Sequence, residues 1–283
     1  MEQAEFDGFF EQYSKNVDAA EKIAFWRFSD ILVEDILKPL VAKVPKGGVI
    51  LDAGGGTARW IVKLAQYTQA SFVLYDLSKD MIAQARYNIS DAKVTDRVTI
   101  IEGDLCDMNG VLSDSIDLIY SNYGVISFVS KPERMFEEFF RILKKDGTCT
   151  VMGHGYYNAL YAKSCNIGVG VEELLEMYKN GTVNWAPHVP KLRTFSQETL
   201  KELMQNAGLR FEKAYGLPCV LQPGPEDFDP ENKLISRVSK ALEDKSFFAA
   251  ALEIERDIND RHHVVNRGVN ILAQGSKSDL NLV

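Results

Sequence analysis

The 283-residue chain is predicted to be an α/β protein built on a doubly wound, mostly parallel sheet. Three observations predict it. Short apolar runs alternate with amphipathic stretches of helical period over residues 46–155. The first apolar run leads into three consecutive glycines in "LDAGGGTARW" (51–60), directly ahead of a helical pattern. An acidic residue stands at the end of each of the first three apolar runs: Asp52, Asp76 and Asp104.

Taken in order, residues 19–38 ("AAEKIAFWRFSDILVEDILK") place Ile23, Trp26, Ile31 and Ile36 at helical spacing, and Pro39 is expected to end that helix. "GGVILDAG" reads as a buried strand and "TARWIVKLAQY" as a helix with Thr57 as its cap. "SFVLYD" is a second strand, and Ser78 caps the helix of "SKDMIAQARYNI". "VTIIEGD" and "IDLIYSN" are the third and fourth strands. "SKPERMFEEFFRILKKDG" reads as a helix with a Ser130–Glu133 capping box, Pro132 in the first turn, an apolar stripe of Met135, Phe136, Phe139 and Leu143, and a stop at Gly147. "TCTVMGHG" is the fifth strand.

Beyond residue 155 the alternation loosens. Residues 156–194 read as an insertion able to serve as a lid, followed by a helix from Ser196 to a Gly208 stop and a strand in "RFEKAYGLPCV". "PGPEDFDPEN" is a turn-rich loop, residues 231–260 form one or two amphipathic helices, and "GVNILAQGSK" is the last strand. The expected organisation is therefore an N-terminal helical cap (1–45), a ligand-binding core (46–155), the lid (156–194), and a C-terminal part (195–283) that completes the sheet around the 231–260 helical insertion.

Composition narrows the function classes. Net charge is −8, which disfavours nucleic acid as substrate while leaving room for a local basic groove. No apolar run approaches the ~18 residues of a membrane span, and "MEQAEFDGFF" lacks a signal-peptide layout, so a cytoplasmic protein without a membrane partner is expected. The four cysteines form no Cys-x-x-Cys pair, and no metal site is expected. Oligomeric state has no signature here.

Glycines after a first strand let a ligand approach the backbone at the carboxyl end of a parallel sheet. A dinucleotide loop would read Gly-x-Gly-x-x-Gly, but counting from Gly54 the third place holds Arg59, too bulky for close helix–strand packing. This weighs against a nicotinamide-dependent oxidoreductase. The remaining pattern is Asp52-x-Gly54-x-Gly56 with Gly55 between, Asp76 in "LYDLS", Asp104 in "IEGDLCD", and "IYSNYG" after the fourth strand. On these motifs the chain resembles the class I S-adenosylmethionine-dependent methyltransferases.

That resemblance implies a Rossmann-like, seven-stranded sheet with its last strand antiparallel, N-terminal helices and a lid insertion, with S-adenosylmethionine as cofactor and S-adenosylhomocysteine as product. It implies that Asp52 meets the cofactor amine, Asp76 the ribose hydroxyls and Asp104 the adenine amino group. Leu77, Met81, Leu105, Asn122 and Tyr123 are implied as neighbouring contacts. The family's frequent third glycine is Ala58 here. "FFEQYSKNVD" is similar to the family's leading helix, which assigns Tyr13 to cover the cofactor and Arg27, or Lys22, to its carboxylate.

Methyl transfer to a nucleophile of high pKa needs a general base, and histidines are few. His154, just past the fifth strand, is the first candidate, with His188 in the insertion the second. His262 and His263 read as structural or exposed. Tyr156, Tyr157 and Trp185 are candidate walls of an acceptor pocket, as is Tyr161.

The layout is also similar to the bacterial tRNA 5-carboxymethoxyuridine methyltransferase group, through "LDAGGG", "DLSKDMI", the insertion after the fifth strand and the ending "ALEIERDINDRHHVVNRGVNILAQGSK". The strongly basic stretch of that group's insertion is absent from "MYKNGTVNWAPHVPKLR". The expected activity is therefore methyl transfer to a small O-, N- or C-acceptor under the lid. The alternatives are a tRNA-modifying methyltransferase and a catalytically silent cofactor-binding interaction module.

Overall fold

The structure, a computed structural model, describes residues 8–11, 14, 17–185, 189–228 and 234–278. The apolar run ahead of the glycines forms β1 (Val49–Ala53), and its neighbours follow as β2 (Ser71–Asp76), β3 (Val98–Glu102), β4 (Ile116–Ser121) and β5 (Leu143–His154). A small hairpin, β6 (Thr182–Val183) and β7 (Leu192–Arg193), lies in the insertion; β8 (Arg210–Leu217) and β9 (Asn270–Ser276) close the chain. The seven-stranded sheet has the order β3-β2-β1-β4-β5-β9-β8, with β1 to β5 parallel and β9 antiparallel to both neighbours. Strand order reverses between β1 and β4, so the loops that follow them part and open a crevice at their carboxyl ends.

Helices cover both faces because β1 to β5 carry apolar side chains on both. On one face lie α1 (Ala24–Lys43), α2 (Arg59–Leu64) and α3 (Lys79–Asp91), whose buried residues share a core with Ile50, Phe72, Leu74 and Tyr120. The other face packs a second core under two helices, α5 (Pro132–Ile142) and α8 (Gln197–Asn206); the turn of helix α4 (Val125–Phe128) precedes α5. The insertion folds as α6 (Tyr156–Tyr161), α7 (Val171–Asn180) and the β6–β7 hairpin around a small core of Ala159, Met177, Val183 and Leu192. Residues 231–260 contain two helices, α9 (Arg237–Leu242) and α10 (Lys245–Ile258), which extend the α1 face; α11 (His262–Val265) leads into β9.

Several local expectations are corrected. Pro39 lies inside α1, which continues to Lys43. The lost hydrogen bond costs about 3 kcal/mol. Phe25, Phe28, Leu32, Val33, Leu37 and Val41 are buried along the same helix, each worth roughly 1.5–3 kcal/mol, so packing wins. Thr57 does not cap α2: its hydroxyl donates to Asp18 at 2.7 Å, and the cap position is Ala58 in the left-handed conformation at φ 63°.

The Ser130–Glu133 capping box does not form either. Proline favours the first helical position, which puts Pro132 at the start of α5, makes Lys131 the cap and leaves Ser130 one residue too early. The helix ends at Ile142 rather than Gly147, because Leu143 already pairs with Ile116 as β5 begins. Ser78 and Ser196 do cap α3 and α8, and Gly208 stops α8 at φ 91°. Strand β8 ends at Leu217, ahead of Pro218, which has no N–H to give the ladder. Among the described residues no helix is long and apolar enough to cross a membrane.

Candidate functional site

The loop after β1 curls back over the start of the crevice. The Gly54 and Gly55 N–H groups both donate to the Tyr75 carbonyl, at 2.7 and 3.3 Å, tying the loop to the end of β2. Gly54 has φ +73°, and a Cβ there would stand 2.4 Å from Val125. A Cβ on Gly55 would stand 2.8 Å from the Asp52 carboxyl carbon. These two glycines are therefore demanded by the protein's own packing. Gly56, at φ +52°, has only Met81 Sδ at 3.7 Å, so its side faces open space.

The three acids differ in environment. Asp52 is 3% exposed beneath Gly55, and Tyr120 OH donates to its Oδ2 at 3.1 Å. Burial pushes the Asp52 carboxyl up to about 8; the Tyr120 bond opposes this and the nearby Asp76 charge adds to it. Near pH 7 this carboxyl is therefore mostly protonated. Asp76, at the end of β2, accepts the Gly56 N–H on Oδ2 and the Ser78 N–H on Oδ1, both at 2.8 Å. Burial raises its pKa, and these backbone bonds restrain the rise. A carboxylate offers about four lone-pair sites, more than these backbone amides use, so acceptor capacity remains for a ligand. Asp104 is exposed after β3 and turns back to accept the Cys106 N–H at 2.8 Å. Met81 and Leu105 are buried close by in sequence, and Leu77 is exposed.

At the end of β4, Asn122 is 7% exposed and neither of its amide atoms has a partner. A buried polar group left unpaired costs roughly 1–3 kcal/mol, so an amide with both ends free beside the glycine loop fits a site that expects a ligand. Tyr123 follows at φ +53°, its N–H 3.3 Å from Met152 Sδ and its hydroxyl donated to Asp30. Its ring stacks on Trp60 (centroids 6.1 Å, 24°) and meets Trp26 edge-on at 6.2 Å.

Arg27, expected to meet a carboxylate, is engaged elsewhere: it pairs with Glu243 at 2.9 Å and donates to the Lys22 carbonyl at 2.7 Å. Tyr13 and His188 lie outside the described residues.

On the acceptor side, His154 ends β5 with its imidazole against Gly124, where a Cβ would stand 2.6 Å from Nε2. Its backbone N–H donates to Ser127 Oγ at 3.2 Å. Burial pushes the imidazole down to about 4, an effect the Asn270 side chain partly offsets. The ring is therefore neutral at pH 7 and a weak proton acceptor. Tyr157 is 53% exposed and Tyr161 is exposed too, so neither is buried as a pocket wall. Tyr156 donates to the Tyr178 carbonyl at 2.9 Å, while Trp185 meets Phe228 at 5.5 Å and Phe228 meets Trp26 at 5.7 Å. His262 is structural, its Nδ1 lying 2.7 Å from Gln197 Nε2.

Three further residues, Asn270, Arg59 and Asp30, join these surroundings. Asn270 pairs with His154 across the β5–β9 ladder, and its side chain acts on the imidazole. Arg59 and Asp30 form a buried ion pair beside Tyr123. Nothing in "GVNILAQ" marks its asparagine, and Asp30 reads as the polar face of an amphipathic helix. Among the described residues no group of three or more His, Cys, Asp or Glu side chains is placed to hold a metal ion.

Comparison with known proteins gives one consistent picture. Residues 50–147 match a family model described as a methyltransferase domain. Over 159 residues the chain is 28% identical to the tRNA 5-carboxymethoxyuridine methyltransferase of Escherichia coli (strain K12), covering 56% of this chain and 58% of that protein. The match thus spans less than two thirds of the curated relative's length. A possible histamine N-methyltransferase from Thermotoga maritima superposes with TM-score 0.56 at 20% identity, over 96% of this chain and 99% of that one. A putative S-adenosylmethionine-dependent methyltransferase from Methanococcus maripaludis does so at 0.56 and 21%, over 97% and 96%. These two likenesses are likenesses of fold.

Proposed function

We propose that this chain, whose residues 50–147 match a methyltransferase domain, is a class I S-adenosylmethionine-dependent methyltransferase that transfers a methyl group to a small-molecule acceptor held beneath the insertion of residues 156–194, acting in the cytoplasm. The observation that carries the reading is the crevice between the β1 and β4 loops. There Asp76 fastens the glycine loop, Asp52 lies beneath it, and Asn122 presents an unpaired amide.

S-adenosylmethionine supplies an electrophilic methyl on a sulfonium. This chain's residues position and exclude. Asp76, holding the Gly56 and Ser78 amides, keeps lone pairs for a ribose diol. Asp104 stands exposed for an exocyclic amino group. Asp52 meets an α-ammonium by giving up its proton, and Asn122 pairs its amide with the donor. On the acceptor side His154 and Asn270 offer neutral hydrogen-bonding groups rather than a strong base. That suits an acceptor already nucleophilic at neutral pH, for which alignment and exclusion of water provide most of the rate.

A second reading, methyl transfer to tRNA, is favoured by the 28% identity to the Escherichia coli protein. The net charge of −8 weighs against it, and two cations of the insertion, Lys163 and Lys191, are already paired with Glu173 and Glu176.

Calorimetric titration with S-adenosylhomocysteine, S-adenosylmethionine and NADH in parallel tests the donor. Binding of the first two alone supports the reading, and binding of NADH alone overturns it. Radiolabelled methyl uptake by a metabolite pool and by bulk tRNA then separates the two acceptors. Donor binding with no uptake in either leaves the interaction-module reading.

A further inference from the structure

We infer that Asp30 is a positioning residue of the donor site, holding Tyr123, and through it Asn122, against the helix that follows the glycine loop. The inference rests on the reading that S-adenosylmethionine is the donor. Asp30 projects from α1 and is nearly inaccessible to solvent. Arg59 forks onto both of its oxygens, with Nη1 at 2.6 Å and Nη2 at 3.2 Å, and Lys63 Nζ reaches Oδ2 at 2.8 Å. Tyr123 OH donates to Oδ1. Glu21, largely solvent-facing, lies 3.3 Å from Arg59 and 3.5 Å from Lys63. One buried carboxylate is thus shared by two cations and a phenol, and none of its oxygens is left unpaired.

The four residues come from the three segments that frame the crevice. Asp30 belongs to the N-terminal helix, Arg59 and Lys63 to the first turns after the glycine loop, and Tyr123 to the loop after β4. Tyr123 has a left-handed backbone at φ +53°, a conformation unfavourable for a residue with a side chain, which persists only when its surroundings hold it. It is held at three points: the hydroxyl by Asp30, the ring by Trp60 with the Arg59 guanidinium 5.3 Å away, and the backbone N–H by Met152. Asn122 is the preceding residue, so the backbone at Tyr123 sets where its free amide lies. A tie that served stability alone could sit anywhere in the fold. This one ends on the strained residue next to the unpaired amide.

The test is a double-mutant cycle on S-adenosylhomocysteine affinity, with Asp30→Asn, Tyr123→Phe and the double variant, each also melted. Each single change is expected to weaken binding about five- to tenfold, as coupled contacts of roughly 1 kcal/mol do. The double variant should bind no worse than the weaker single. Folded single variants with wild-type affinity, whatever their melting temperatures, would overturn the inference, as would losses that simply add. If Asp30→Asn does not fold, Tyr123→Phe, which leaves the ion pairs intact, decides on its own affinity. A wild-type protein that binds no S-adenosylhomocysteine overturns the donor reading and this inference together. Wild-type binding with unaltered variants overturns this inference only.

Discussion

Tyr120 and Asp52 face each other across β4 and β1, and the phenol donates to the carboxyl at 3.1 Å directly beneath the glycine loop. The carboxyl is held up at about 8, so near pH 7 it keeps its proton in the free protein. The ammonium of S-adenosylhomocysteine favours the ionised form, so binding below pH 8 expels a proton. Affinity should therefore rise from pH 6 to pH 8, by up to tenfold per unit, and level off above. Tyr120→Phe removes a bond that favours the carboxylate and should move the levelling point higher. Calorimetry in two buffers of different ionisation enthalpy checks this; a pH-independent affinity counts against it.

His154 makes stability depend on acid. Its pKa is depressed from 6.5 to about 4 by burial, so between those values the unfolded chain binds the proton and the folded chain does not. Stability is lost as pH falls through that window. Glu198, held down to about 2 against its burial by Asn266, Ser196 and Gln197, adds a further loss between pH 4.5 and 2. Melting temperatures from pH 7 to 4 should decline for wild type, and His154→Gln should flatten the upper part of that decline.

Asp76 carries both a ligand role and a loop role. Asp76→Ala removes the acceptor of the Gly56 and Ser78 amides, each bond to a charged group being worth roughly 1.5–3 kcal/mol. S-adenosylhomocysteine affinity should fall by more than about tenfold while circular dichroism stays native. A folded variant with unchanged affinity would remove Asp76 from the site.

Gly54→Ala should destabilise by more than about 2 kcal/mol, because its Cβ meets Val125 at 2.4 Å and its φ of +73° disfavours any side chain. The two causes separate. Adding Val125→Ala restores the space but not the conformation, so only part of the loss should return in chemical denaturation. Full recovery would show that conformation contributes nothing.

The parts legible in the sequence are local. Alternating apolar and amphipathic stretches, Ser78 and Ser196 as caps and Gly208 as a stop all depend on a few neighbouring residues, and the structure forms each of them. Where local signals competed, the sequence misjudged which would prevail: Pro39 was outweighed by a buried stripe on both sides of it, and Pro132 displaced Ser130 from the cap. The glycine loop was legible as a pattern but not in its reason, since Val125 and Asp52, not a ligand, crowd Gly54 and Gly55.

By itself the sequence determined the sheet, its loop of glycines and the acids at the strand ends, because backbone conformation and hydrophobic period are written into adjacent residues. Only the tertiary structure decided which acid is charged and which polar groups meet. Asp52 owes its proton to burial under Gly55 and beside Tyr120, 68 residues away. Tyr123 owes its partner to Asp30, 93 residues earlier. His154 and Asn270 become neighbours through the last strand. Charge state and hydrogen bonding depend on distance and exclusion of water, and both are fixed when remote segments pack.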